Sequence, residues 1–231
     1  MFDYAERRRR LSDRMQAEGV DVLFLGLSAD LEYLSGVERG IPFFGQSSYA
    51  HGWVAGAFFR PDADPVFVLP RMVAAFDLPV RPEGEIVIVN ETDDGFAEFE
   101  RVARSLGSPG TVAVGDRVWA ETTLNLGRVF GFDRLCTGSS LVNELRRVKT
   151  PEELEAMARA CRTVEQAMEA VTPRVQPGSA WPSWWRRWSC SCGWPAPGRR
   201  RSPRTSSRAS TRTASTRRQG RRACRYPRGR R

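Results

Sequence analysis

The sequence predicts an α/β fold: a mixed sheet flanked by helices, followed by a long helix and a disordered tail. Three observations carry that expectation. Short apolar runs of strand character alternate with amphipathic stretches between Phe2 and Gly131, the pattern of a sheet covered by helices. Apolar residues then recur at alternating three- and four-residue steps from Leu154 to Val171, as on one face of a single long helix. After Gly178 the composition turns abruptly to Trp, Arg, Ser, Pro and Cys in "SAWPSWWRRWSCSCGWPAPGRRRSPRTSS".

The elements follow in order. "FDYAERRRRLSDRMQAEG" reads as a helix stopped by Gly19, because glycine adopts the left-handed conformation that ends helices. The run Arg7 to Arg10 is placed on its wet face; a twin-arginine export signal is not expected, since polar "LSDRMQAEG" follows where an apolar segment is needed. "VDVLFLG" is a continuous apolar run, hence a buried strand, and "SADLEYLSG" a short capped helix. "HGWVAGAFFR" and "PVFVLP", separated by the turn-rich "PDAD", read as a hairpin. "EIVIVNE" is a further strand, and "DGFAEFERVARSLG" a helix with Phe96, Phe99, Val102 and Leu106 on one face. The acidic pair Asp93 and Asp94 is expected to cap that helix and not to act as general acid and base. "TVAVGD" and "AETTLNLGRVFG" repeat strand and helix, giving a largely buried mixed sheet.

The most specific local signal lies in "KTPEELEAMARACRTVEQAMEAV". Thr150 caps, Pro151 takes the first helical position and Glu153 completes a capping box. Leu154, Met157, Cys161, Val164, Met168 and Val171 form the stripe, expected to be core, with Cys161 a small core residue.

The formal net charge of +9 would suggest a nucleic-acid or membrane partner, but the average hides a division. Residues 1–178 carry 20 basic residues against all 27 acids, a net of −7, whereas residues 179–231 carry 16 Arg and no acid. The tail also lacks Leu, Ile, Val, Met and Phe, so it has almost no aliphatic material to offset the entropy of folding. Cys136, Cys161, Cys190, Cys192 and Cys224 are odd in number and irregularly spaced, with no histidine near the C-x-C pair. Neither a disulfide framework nor a zinc site is indicated, and a reducing, cytoplasmic location fits. His51 is the one histidine; beside a strand it is expected to be packed or solvated.

"LSDRMQAEGVDVLFLGLSADLEYLSGV", "GAFFRPDADPVFVLPRM" and "LVNELRRVKTPEELEAMARACRTVEQAMEAVTPRVQPG" together resemble the N-terminal half of the creatinase and prolidase family. These are the M24 pita-bread metallopeptidases that include Xaa-Pro aminopeptidase and Xaa-Pro dipeptidase. The resemblance implies a creatinase-like N-terminal α/β domain at 1–143, a linker and first catalytic-domain helix at 144–178, and an out-of-frame Arg/Ser/Trp-rich tail at 179–231. It implies further that the N-terminal domain helps form dimers and restricts access to an active site elsewhere, which makes substrate gating the sharper alternative for His51. In intact members that site holds two divalent metal ions, Mn, Co or similar, on two Asp, one His and two Glu, activating a bridging water. Here no Asp or Glu follows Glu169, so no catalytic, cofactor-binding or metal-binding residue is expected in this chain.

One Lys to 35 Arg suggests a GC-rich gene, in which a wrong frame runs on without a stop. Trp is encoded by TGG and Cys by TGT or TGC; a frame taking the last base of the preceding codon turns each into NTG, which encodes Leu, Met or Val. Trp181, Trp184, Trp185 and Trp188 would then supply apolar residues at i, i+3, i+4 and i+7, with Cys192 at i+11, an amphipathic helix. The frame is therefore expected to slip close to Gly178. Two functions stand: a truncated, inactive metallopeptidase-family protein, or a free-standing α/β interaction domain. The partner expected is a second copy or an intact family member, with no specific nucleic acid and no membrane; a basic tail binding nucleic acid or anionic membrane is the alternative.

Overall fold

The computed structural model describes residues 2–38, 49–78 and 80–174. The chain divides into two compact units, Met1–Arg159 and Ala160–Arg231. In the first unit a six-stranded mixed sheet lies between two helical layers, in the order β4-β3-β2-β1-β5-β6.

Helix α1 (Tyr4–Glu18) starts at Asp3, whose side chain accepts the Glu6 N–H, and ends on Gly19 at φ 66°. The central strand β1 (Val22–Gly26) is buried at every residue. Ser28 caps α2 (Ala29–Ser35) by accepting the Leu31 N–H at 3.3 Å. Strands β2 (Gly56–Phe59) and β3 (Val66–Pro70) form the expected hairpin. Its turn is tied to α1, where Ser12 Oγ donates to Asp62 Oδ1 and accepts the Asp62 N–H, both at 3.0 Å; Asp62 holds φ 54° there, a left-handed conformation that Asp tolerates better than most residues. The stretch "HGWV" differs from expectation. It forms a 3₁₀ turn at Gly52–Val54, because His51 at φ 56° turns the chain before the strand begins.

β4 (Glu85–Val89) pairs parallel to β3 at one edge. Asp94 alone caps α3 (Gly95–Ser105), accepting from the Phe96 and Ala97 N–H groups, while Asp93 accepts from Asn90. β5 (Val112–Val114) lies parallel to β1 and leads through residues 115–119 to α4 (Ala120–Phe130). β6 (Leu135–Thr137) and α5 (Ser139–Arg147) complete the unit. α5 runs across position 143/144 and buries Leu141, Val142 and Leu145.

Two apolar layers result. Leu23 and Leu25 of β1, with Phe59, Phe67 and Leu69, meet Leu11, Met15, Leu31, Leu34 and Leu145 of α1, α2 and α5. On the other face Phe24, Phe58 and Val68 meet Phe99, Val102 and Leu126 of α3 and α4. Phe24 contacts Phe58 and Phe99 edge-on, with ring centroids 4.8 and 5.8 Å apart.

Three expectations are corrected. The arginine run does not share one wet face, since four consecutive helical residues turn through most of a circle. Arg9 is exposed but Arg7 is buried, 8% exposed, against Glu153. The stripe of α6 (Pro151–Val171) is not core: Leu154, Met157, Val164 and Met168 are about half exposed, and only Val171 of the stripe is buried. Cys161 is exposed as well. A helical period specifies a face that wants a partner, and four of its six side chains here remain half exposed. The tail and the Pro177–Gly178 step lie outside the described residues.

The contrast between the layers and the stripe is measurable in urea unfolding. Phe99→Ala, at a site 0% exposed, is expected to cost about 3–5 kcal/mol. Leu154→Ala, at a site 55% exposed, is expected to stay within about 0.5 kcal/mol of the parent; a loss comparable to that of Phe99→Ala would show the stripe to be buried in solution.

Candidate functional site

Parallel strands that end side by side leave a crevice beyond their carboxyl ends, where open α/β sheets place ligands. Here β1 and β5 end together, and antiparallel β2 begins at the same edge. A cleft of about 250 Å³ opens there, lined by Gly26, Leu27, Gly52, Ala55, Arg117, Val118, Trp119 and Thr122. The Thr122 hydroxyl donates to the Trp53 carbonyl and so ties α4 to the 3₁₀ turn. Trp119 is 58% exposed at the rim.

His51 sits immediately before the lining residue Gly52, but its ring turns toward the start of α3. A Cβ at Gly95 would overlap the imidazole, so the glycine is required by this close approach. The Nε2 atom is buried and has no hydrogen-bond partner among the described residues. His51 is thus a half-buried packing residue among the described residues. The adjoining loop carries charge. Asn90 donates to Asp93 Oδ2 from its backbone N–H at 2.8 Å and from Nδ2 at 2.9 Å, which lowers the Asp93 carboxyl below its ordinary value. The neighbouring His51 lowers it further.

A second cleft, of about 460 Å³, lies between α1, α2, α5 and the start of α6; Phe2, Tyr4, Arg7, Tyr33, Arg146 and Glu153 are among its lining residues. Arg146 Nη1 donates to Asp30 Oδ1 at 2.5 Å, and Arg7 Nη2 to Glu153 Oε1 at 2.5 Å. The Arg7 guanidinium also stands 4.0 Å from the Tyr33 ring centroid and 4.6 Å from that of Phe2, within cation–π range. Burial pushes the Tyr33 phenol up from its ordinary value, and the Glu153 carboxylate adds to the rise. The capping role of Glu153 is legible in the sequence; its pairing with Arg7 is not, because the two are far apart in the chain.

Among the described residues, no group of three or more His, Cys, Asp or Glu could hold a metal ion. No helix among them is long and apolar enough to cross a membrane.

The model of the creatinase/prolidase N-terminal domain matches residues 7–148, from α1 to the end of α5. The chain belongs to that family. As a creatinase/prolidase N-terminal domain it has structural neighbours that share its fold. A prolidase from Thermococcus sibiricus aligns with a TM-score of 0.67 at 15% identity, over 83% of this chain and 50% of that one. Dipeptidase PepE from Mycobacterium ulcerans aligns at 0.64 and 23% identity, over 83% and 50%. An Xaa-Pro dipeptidase from Bacillus anthracis aligns at 0.59 and 16% identity, over 83% and 49%. The chain thus spans about half the length of these relatives. No curated protein matches it in sequence.

The family domain's Asp93 loop should be legible in acid unfolding. A carboxyl whose folded pKa lies below its unfolded value contributes stability that is present above the unfolded value and lost as pH falls through the folded one. Asp93→Asn is therefore expected to lose less stability than the parent between about pH 5 and pH 2, read as the pH dependence of the urea midpoint. Parallel curves for parent and variant would show that the Asn90 contacts do not hold the charge in solution.

Proposed function

We propose that the domain is the dimerisation and substrate-access part of an Xaa-Pro peptidase-type metallohydrolase, and that this chain carries no catalysis of its own. The observation that supports the reading is the order of its parts. The family domain over residues 7–148 is followed by α6, and residues 170–231 then contain no Asp, Glu or His. The two Asp, one His and two Glu that the resemblance requires for two metal ions are not supplied there, and no catalytic step is assigned to this chain. The organisation proposed remains 1–143 for the α/β domain, 144–178 for the linker and first helix of a pita-bread domain, and 179–231 for an out-of-frame extension. The partner that fits is a second copy of the domain or an intact family member, in the cytoplasm. The names of the structural neighbours, prolidase and dipeptidase, support the substrate class.

The out-of-frame reading draws on codon chemistry. Trp181, Trp184, Trp185, Trp188, Cys190, Cys192 and Trp194 all become Leu, Met or Val in one displaced frame, and their spacing there is that of a helix. A second reading is favoured by the 16 Arg and absent acids of residues 179–231, which suit electrostatic binding to nucleic acid or an anionic surface.

Resequencing the gene across the codons for Val175 to Trp188, and several hundred bases beyond, separates the two. The expected result is a displaced frame encoding two Asp, one His and two Glu in a continuous domain, whether or not the recorded bases stand. If neither frame encodes such a domain, the frame reading fails and the tail is a binding segment. The purified chain supplied with Mn²⁺ or Co²⁺ is expected to leave Xaa-Pro dipeptides uncleaved; metal-dependent cleavage would overturn the assignment of an inactive domain.

A further inference from the structure

α6 presents an inversion of the usual rule that apolar residues go inside. Of its first ten residues, 151–160, Glu153 alone is buried, while Leu154 and Met157 are 55% and 52% exposed. A helix this amphipathic ordinarily attaches by its stripe. Here the opening turns have a carboxylate inside and the stripe outside. The connector from α5 is only residues 148–150, and Val148 within it is 69% exposed, so the connector does not anchor the helix by burial.

We infer that the buried Arg7–Glu153 pair is the joint that fixes the opening turns of α6 to the α/β domain, leaving the apolar stripe free of that duty. Each group is held from several sides. Glu153 Oε1 accepts from Arg7 Nη2 at 2.5 Å, Oε2 accepts the Thr150 N–H at 3.1 Å, and the Glu153 N–H donates to Thr150 Oγ1 at 3.3 Å. Arg7 Nη1 donates to the Tyr33 carbonyl at 2.8 Å. The rings of Tyr33, Phe2 and Tyr4 stand 4.0, 4.6 and 5.5 Å from the guanidinium. The same carboxylate therefore closes the N-terminal cap of α6 and engages α1, so cap and attachment are one unit.

The charge makes this joint close to all-or-none. Removing one partner of a buried pair leaves the other uncompensated, a far larger penalty than the pair's net worth. Burial also shields the pair from salt, unlike the exposed i,i+4 pairs Arg9–Asp13 and Arg159–Glu155. The inference rests on residues 2–157 and is independent of how the tail is read.

Hydrogen exchange on the full chain tests it with Glu153→Gln, Arg7→Lys, the double variant and Thr150→Ala. Gln can still close a capping box, so Glu153→Gln removes the charge and leaves the cap. Amides of residues 154–157 are expected to exchange about 100-fold faster in Glu153→Gln, while β1 and β2 amides keep parent rates. Arg7→Lys should give a smaller acceleration, since Lys lacks the planar fork; the double variant should be no worse than the worse single. Thr150→Ala should have the least effect. The Tyr33 phenol, followed by its ¹³Cζ shift, should titrate lower in Glu153→Gln than in the parent. The inference fails if residues 154–157 in Glu153→Gln stay within about twofold of parent rates, if the two substitutions add independently, or if Tyr33 titrates unchanged. It fails equally if β1 and β2 lose protection together with α6, since the pair would then be part of the core and not a joint.

Discussion

Everything in the first unit depends on β1 being apolar on both faces. The strand pairs antiparallel to β2 and parallel to β5, so it has no edge, and all five of its residues are buried. Successive side chains point to opposite faces, which sends Leu23 and Leu25 into one layer and Val22 and Phe24 into the other. A one-residue slip would exchange the two sets and set the Phe24 ring against α1 and α2 in place of Phe58 and Phe99. The helices need only match a surface that β1 already defines: α1, α2 and α5 with Leu, Val and Met side chains, α3 and α4 with Phe99, Val102 and Leu126. The crevice at the sheet end follows from the same strand, because parallel β1 and β5 must terminate on the same side.

Much of this was legible in the sequence where local chemistry is strong. Gly19, Ser28, Asp94 and Thr150 mark helix ends by hydrogen bonds to residues three or four positions away, and those signals survive in any tertiary context. β6 was not legible: it has three residues, two of them exposed, at a sheet edge. Its place is set by pairing with β5, not by its own pattern. His51 shows the same limit at the candidate site. Its residue type suggests titration and the family resemblance suggests gating, yet its position is decided by a glycine in α3 whose missing side chain makes room for the ring. Four adjacent arginines did contain their own correction, since helical geometry alone forbids a common face.

α6 exposes the difference between a pattern and its fulfilment. A three- and four-residue apolar period says that a helix face would gain by burial; whether it is buried depends on a surface contributed elsewhere. Leu154, Met157, Val164 and Met168 keep the period without that surface among the described residues, and each half-exposed side chain forgoes part of the roughly 1.5–3 kcal/mol that full burial would contribute. If α6 were attached to the domain by this stripe, the face would be consumed in holding the helix. Attachment through a charged side chain that borders the stripe, satisfied by Arg7 and the Thr150 cap, leaves Leu154 and Met157 half exposed and resolves the conflict. The costly burial of a carboxylate at Glu153 is thus the physical condition for leaving an apolar face open, and the two features are best understood as a single design.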